Sequence, residues 1–170
     1  MSALQSKRKV LVVDSEPSVC SVIGECMAEW PGTEVSCVTN GTLAARALQT
    51  MHYDLVLIEA ILPGVPDLSL VEIATDRNTP VLIFSGHPGA IEMLDTIGCP
   101  CVAKPFSLGD LIERSQQAVA GARENIERAR ISTARLRASG KALTAAMMLS
   151  ARQKNSIENR ANALRLRRPN

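Results

Sequence analysis

Hydrophobic positions along the chain fall into five short runs, separated by segments of a different period. KVLVV (9–13) is continuous and rich in β-branched residues, which fits a strand covered on both faces. EVSCV (34–38) is strand-like, and buried runs recur at DLVLI (54–58), PVLIF (80–84) and, more briefly, CVA (101–103). Between them the apolar residues return at intervals of three and four, the mark of a helix. In SEPSVCSVIGECMAEW, Val19, Ile23, Cys26 and Met27 form one stripe; Ser15 is placed to cap it, Pro17 suits its first turn and Pro31-Gly32 ends it. TLAARALQTM (42–51), LSLVEIATD and GAIEMLDTIG carry the same period, the last stopped by Gly98. Lys104-Pro105 then leads into a long helical pattern from about Ser107.

Five βα units with short links predict an α/β fold built on a doubly wound parallel sheet. In such sheets the ligand crevice lies beyond the carboxyl ends of the strands. The residues at those ends are Asp14, Ser15, Glu59, Ser85 and Lys104. Two acids, two hydroxyls and a lysine are therefore expected to converge.

The pattern continues past the fifth unit. From Ile112 the three-then-four spacing runs without a slip through Ser115, Val119, Ala122, Ile126, Ala129, Thr133 and Leu136. It predicts that the last helix extends unbroken to Ser139, with Ser139-Gly140 as a break and a second helical segment over 141–166. The chain is read as a domain over 1–120 and a basic helical extension over 121–170. A narrow seam needs a partner, so the extension is expected to self-associate as a coiled coil or helical hairpin, although many seam residues are small. A solvated helix, nucleic-acid contact, and docking on an acidic unit are the other readings.

Charge sharpens that division. Residues 1–122 hold 7 basic and 14 acidic side chains, net −7; residues 123–170 hold 12 basic and 3 acidic, net +9. The extension has no aromatic residue and no helix-turn-helix pattern, which counts against nucleic acid. Hydrophobic residues make up 46% of the chain and aromatic ones 2%, so the core must be aliphatic. No apolar run approaches the roughly 18 residues of a membrane span. The apolar run after the basic N-terminus is too short for a secretory signal, and a cytoplasmic location is expected. The five cysteines form no CxxC pair, and the two histidines complete no zinc pattern. Reduced thiols are expected.

VLVVDSEP, DLVLIEAILPG, VLIFSG and VAKPF, in this order over about residues 8–120, resemble the motifs of response-regulator receiver domains. The resemblance implies a flavodoxin-like five-stranded sheet of order 2-1-3-4-5 and a role in two-component, phosphorelay signal transduction. In that family an Asp ending the third strand accepts a phosphoryl group. Acids after the first strand hold Mg²⁺ together with that Asp and a backbone carbonyl two residues on, while a Ser/Thr and a Lys contact the phosphoryl oxygens. Carried over, these roles fall on Asp14, the Ile61 carbonyl, Ser85 and Lys104. Three positions depart: Ser15 replaces the second acid, Glu59 holds the acceptor position, and Cys101 stands where an aromatic is usual.

The departures have physical consequences. Glutamate carries its carboxylate about an ångström or more further out than aspartate, and a shift of that size can cost about a hundredfold in a positioned reaction. Ser15 offers Mg²⁺ a neutral, degenerate ligand in place of a carboxylate. Little or no phosphorylation is expected, no cofactor is required, and any Mg²⁺ binding is weak. Glu59 instead is expected to pair with Lys104 and accept from Ser85, imitating part of a phosphorylated state; the plainer alternative is an acid in a pocket that has lost its task. Asp14 is expected to pair with Lys104, to cap the first helix or to keep some cation affinity, and Ser85 to satisfy a turn. These readings point to a non-enzymatic pseudo-receiver acting through protein contacts: with itself as a homodimer, with a histidine kinase or with another regulator. A working phosphorelay receiver and a nucleic-acid-binding regulator are the alternatives.

Overall fold

The computed structural model describes residues 7–66 and 68–140. Five parallel strands form one sheet of order β2-β1-β3-β4-β5: β1 (Arg8–Val13), β2 (Thr33–Val38), β3 (Leu55–Glu59), β4 (Val81–Ser85) and β5 (Cys101–Ala103). Helices α1 (Pro17–Ala28), α2 (Gly41–Thr50), α3 (Ser69–Asp76), α4 (Pro88–Ile97) and α5 (Leu108–Ala120) connect and cover them. Val10 to Val13 and Leu55 to Leu57 are fully buried, because both faces of the sheet are covered. One face packs Leu11, Val56, Ile83, Leu48, Val71 and Leu94 beneath α2, α3 and α4. The other packs Val10, Leu57, Phe84, Ile23, Met27 and Leu111 beneath α1 and α5.

Local chemistry sets several of the helix ends. Asn40 Oδ1 accepts the N–H groups of Thr42 and Leu43, starting α2. Ser107 Oγ accepts the Asp110 N–H, starting α5. Gly98, at φ 78°, ends α4 in the left-handed conformation that glycine adopts without strain. Gly41 has another reason to lack a side chain: a Cβ there would lie 1.8 Å from Val65 Cγ2. That contact packs the start of α2 against the β3–α3 loop. Ser15 does not cap α1. Glu16 takes the cap position without a side-chain bond, and Asp14 Oδ1 accepts the Glu16 N–H at 2.8 Å.

The end of the chain departs from the expected continuous helix. α5 stops at Ala120, Gly121 turns the backbone, and α6 (Ala122–Ser139) follows. α6 packs on α3 and α4, on the face of the sheet opposite α5. Ile126, Ala129, Thr133 and Leu136 are buried there, and Ala129 and Leu136 belong to the core of that face. The seam is where its periodicity placed it, but the surface that covers it is this chain's own domain and not a coiled-coil partner. Asn125 fixes the crossing, its side chain exchanging two 2.8 Å hydrogen bonds with the backbone N–H and C=O of Val81 at the start of β4.

Arginines then bind the C-terminal carbonyls of two helices. Arg130 donates to Thr75 O at 2.7 Å and Arg135 to Ile97 O at 3.0 Å. Cations there complement the negative end of the helix dipole, adding to the Asn78 N–H on Thr75 O and the Ser132 hydroxyl on Ile97 O. Gly140, at φ 62°, terminates α6. The second helical segment expected over 141–166 lies outside the described residues.

Candidate functional site

The parallel register brings the strand ends to one edge: Val13 pairs with Ile58, Glu59 with Phe84, and Ser85 with Ala103. Asp14 directly follows β1, Glu59 ends β3, Ser85 ends β4 and Lys104 directly follows β5. Asp14 and Ser85 are buried, Glu59 and Lys104 half-buried, and Ser15 exposed.

Lys104 is the centre of the site. Its Nζ donates to Asp14 Oδ2 at 2.9 Å and to Glu59 Oε2 at 2.7 Å. The same ammonium lies 4.7 Å from the centroid of the Phe84 ring, whose face favours a cation. The Lys104 backbone N–H donates to Ser85 O at 2.8 Å, extending the sheet by one bond, and the Lys104-Pro105 peptide is cis. Burial is the largest single influence on the Lys104 pKa and pulls it down. Hydrogen bonds and charge from Glu59 and Asp14 together outweigh it, and the net direction is up from 10.5. Lys104 therefore stays an ammonium ion, clamped between two carboxylates.

The other side chains are committed locally. Asp14 divides its oxygens between Lys104 and the Glu16 N–H, so it both pairs and supports the start of α1. Ser85 Oγ accepts the His87 N–H at 3.2 Å. The turn reading of Ser85 is realised, and the hydrogen bond to Glu59 is not formed among the described residues. No sequence signal marks His87. Its Nδ1 is buried without a hydrogen-bond partner, two residues beyond Ser85. Periodicity marks Phe84 as core alone; its place under the ammonium follows from its pairing with Glu59, a register the sequence does not print. Cys101 leaves no ring on β5, and its Sγ lies 3.3 Å from Asp95 Oδ1.

The carboxylate oxygens at the position where the motifs imply Mg²⁺ are largely committed to other partners. Magnesium demands near-octahedral oxygen ligands with one or two carboxylates. Here Glu59 Oε1 is the one carboxylate oxygen of the pair with no commitment to Lys104 or the Glu16 N–H. Ser15 is neutral and exposed, and Ile61 contributes no charge. Among the described residues, no group of three or more His, Cys, Asp or Glu side chains is placed to hold a metal ion. The pocket as built accommodates an ammonium ion.

Residues 10–116 match the family model described as the response regulator receiver domain. The chain belongs to this family. A 118-residue stretch of the receiver is 30% identical to YkoG, named an uncharacterized transcriptional regulatory protein, of Bacillus subtilis (strain 168), covering 66% of this chain and 51% of YkoG. A 112-residue stretch is 23% identical to the DNA-binding response regulator MtrA of Mycolicibacterium smegmatis, covering 64% and 49%. The chain thus spans about half the length of the curated relatives it matches. Among solved structures, the receiver domain of Francisella response regulator 1452 is 28% identical over 67% of this chain and 98% of its own, with a TM-score of 0.57. A receiver protein from Sinorhizobium medicae WSM419 shares the fold, at 24% identity and a TM-score of 0.62 over 71% and 99%. The flavodoxin-like order expected from the motifs is the order of the sheet.

Proposed function

We propose that this receiver is a pseudo-receiver, a signalling module that works through protein contacts without being phosphorylated. One observation carries the reading: Lys104 Nζ sits 2.7 Å from Glu59 and 2.9 Å from Asp14. The lysine that would meet an incoming phosphoryl group is already neutralised by the side chain at the acceptor position. A carboxylate supplies −1 where a phosphoryl group supplies about −1.5 to −2, so the imitation is partial and is confined to the lysine half of the site. Phosphoryl transfer rests on positioning and charge neutralisation, and both are compromised together. The over-long acceptor is held by an ion pair, and the metal-holding acid is replaced by Ser15.

Its partner is a protein of the signalling pathway, a histidine kinase or another regulator. A second copy of the chain would have to meet a surface other than the 122–139 seam, which the receiver itself covers. The names of relatives such as MtrA speak of DNA binding. Here one guanidinium nitrogen of Arg130 and one of Arg135 donate to helix carbonyls, which leaves fewer donors on α6 for phosphates.

Incubation with acetyl phosphate and Mg²⁺, followed by intact mass measurement, tests the proposal. No phosphoryl adduct is expected on the natural chain, and Glu59→Asp with Ser15→Asp is expected to gain one. A stoichiometric adduct on the natural chain that vanishes in Glu59→Gln would overturn it.

A further inference from the structure

Cys20 on α1 and Cys37 on β2 meet where the helix lies on the sheet. Cys20 Sγ is buried, 3.6 Å from Val12 O and 3.7 Å from Val38 O. Cys37 is the register partner of Val12, and its Sγ donates to the Cys20 carbonyl oxygen at 3.3 Å. That oxygen is two bonds from the Cys20 Cα. Space for the Cys37 sulfur comes from Gly24, one helical turn after Cys20: a Cβ there would lie 2.7 Å from Cys37 Sγ.

Of the five free cysteines, Cys37 is the exposed one. Cys26 lies against Leu108 O, Cys99 is buried, and Cys101 is engaged by Asp95. An exposed thiol whose sulfur lies against the backbone of a buried cysteine is placed to be oxidised first and resolved by the second.

We propose that Cys20 and Cys37 are a dithiol modification site for hydroperoxides, closing to a disulfide that ties α1 to β2. The Cys37 thiolate attacks one peroxide oxygen. An S–O bond forms, the O–O bond breaks, and the departing oxygen takes a proton and leaves as water or an alcohol. Cys20 sulfur then attacks Cys37 Sγ; the S–S bond forms, the S–O bond breaks, and the hydroxide leaves as water with the Cys20 proton. Two thiols give up two electrons and the peroxide accepts them. Cys37 is exposed and Cys20 buried, so the peroxide meets Cys37 first and Cys20 resolves; burial also pushes the Cys20 thiol up. The bond would anchor α1 directly after the Asp14–Glu16 turn, and a cross-link of this kind stabilises chiefly by restricting the unfolded chain.

The full-length chain, reduced and then treated with a slight excess of hydrogen peroxide, provides the test. Intact mass should fall by two hydrogens, non-reducing peptide maps should show Cys20 joined to Cys37, and dithiothreitol should reverse both. Oxidised protein should unfold at higher urea than reduced protein. Cys37→Ser, a change at an exposed position, should abolish the mass loss. Cys20→Ala should leave a dimedone-reactive sulfenic acid on Cys37, and Cys26→Ala should behave as the natural chain. Oxygen addition at Cys37 without a linked peptide, a link through Cys99 and Cys101, or a link between two chains would each overturn the proposal.

Discussion

Lys104 carries two opposed effects, burial and the pull of two carboxylates, and their balance fixes a pH signature. Its folded-state pKa is raised above 10.5. The stability it contributes is fully present below that unfolded value and is lost as pH rises through the folded one. The thiols of Cys20, Cys99 and Cys101, pushed up from 9.0 to about 12 chiefly by burial, also lose stability as pH climbs past 9, so the lysine must be isolated by comparison. Lys104→Met leaves Asp14 and Glu59 facing each other without a cation, and the cost at pH 7 is expected to be about 3 kcal/mol. Urea midpoints from pH 7 to 11 should show the gap between natural chain and variant narrowing above about 10.5. A gap that stays constant there would remove Lys104 from the account. Four of these positions were readable because a parallel sheet ends every strand at one edge, which brings Asp14, Glu59, Ser85 and Lys104 together. Which oxygen each donor takes was not readable, because the Asp14 bond to the Glu16 N–H and the Ser85 bond to the His87 N–H depend on turn geometry.

At the level of elements, the same logic explains why the strands were legible and α6 half so. A continuous apolar run specifies burial on two faces, and nothing else in a chain of this size supplies that. A three-then-four spacing specifies a face and leaves its partner open. Ile126, Ala129, Thr133 and Leu136 are buried against α3 and α4, and the helix expected to pass through residue 121 turns there instead. Glycine at 121 costs about 1 kcal/mol within a helix, too little to dictate a break. Contacts made by the first turns of α6 hold the chain in its new direction. Asn125 supplies the donor and the acceptor that Val81 needs at the start of β4. Asn125→Ala would leave two buried backbone groups unpaired, and the expected loss is about 2–3 kcal/mol. It should appear as a lower urea midpoint at unchanged slope, while Asn125→Asp, which sets a buried carboxylate oxygen against the Val81 carbonyl, should fall further at pH 7.

For the whole molecule the question is where the receiver ends. The family match stops at residue 116, and sequence alone divides the charge near residue 122, which suggests a domain followed by an appendage. The packing argues for a later boundary. α6 adds Ala129 and Leu136 to the core above α3 and α4, Arg130 and Arg135 bind the last carbonyls of those helices, and Arg137 pairs with Glu72 on α3. Among the described residues the Arg137–Glu72 pair joins the two parts by opposite charge, and the helix ends supply further docking contacts. A chain ended after residue 120 would expose that apolar surface, leave Val81 without Asn125 and free the helix carbonyls together. A chain ended after residue 140 would keep all of them. The shorter form is expected to unfold at lower urea, with a smaller slope because less surface is buried on folding, and to bind a dye that reports exposed apolar surface. Equal midpoints and slopes for the two forms would show that α6 lies on the receiver without stabilising it, and the boundary would then belong at residue 120.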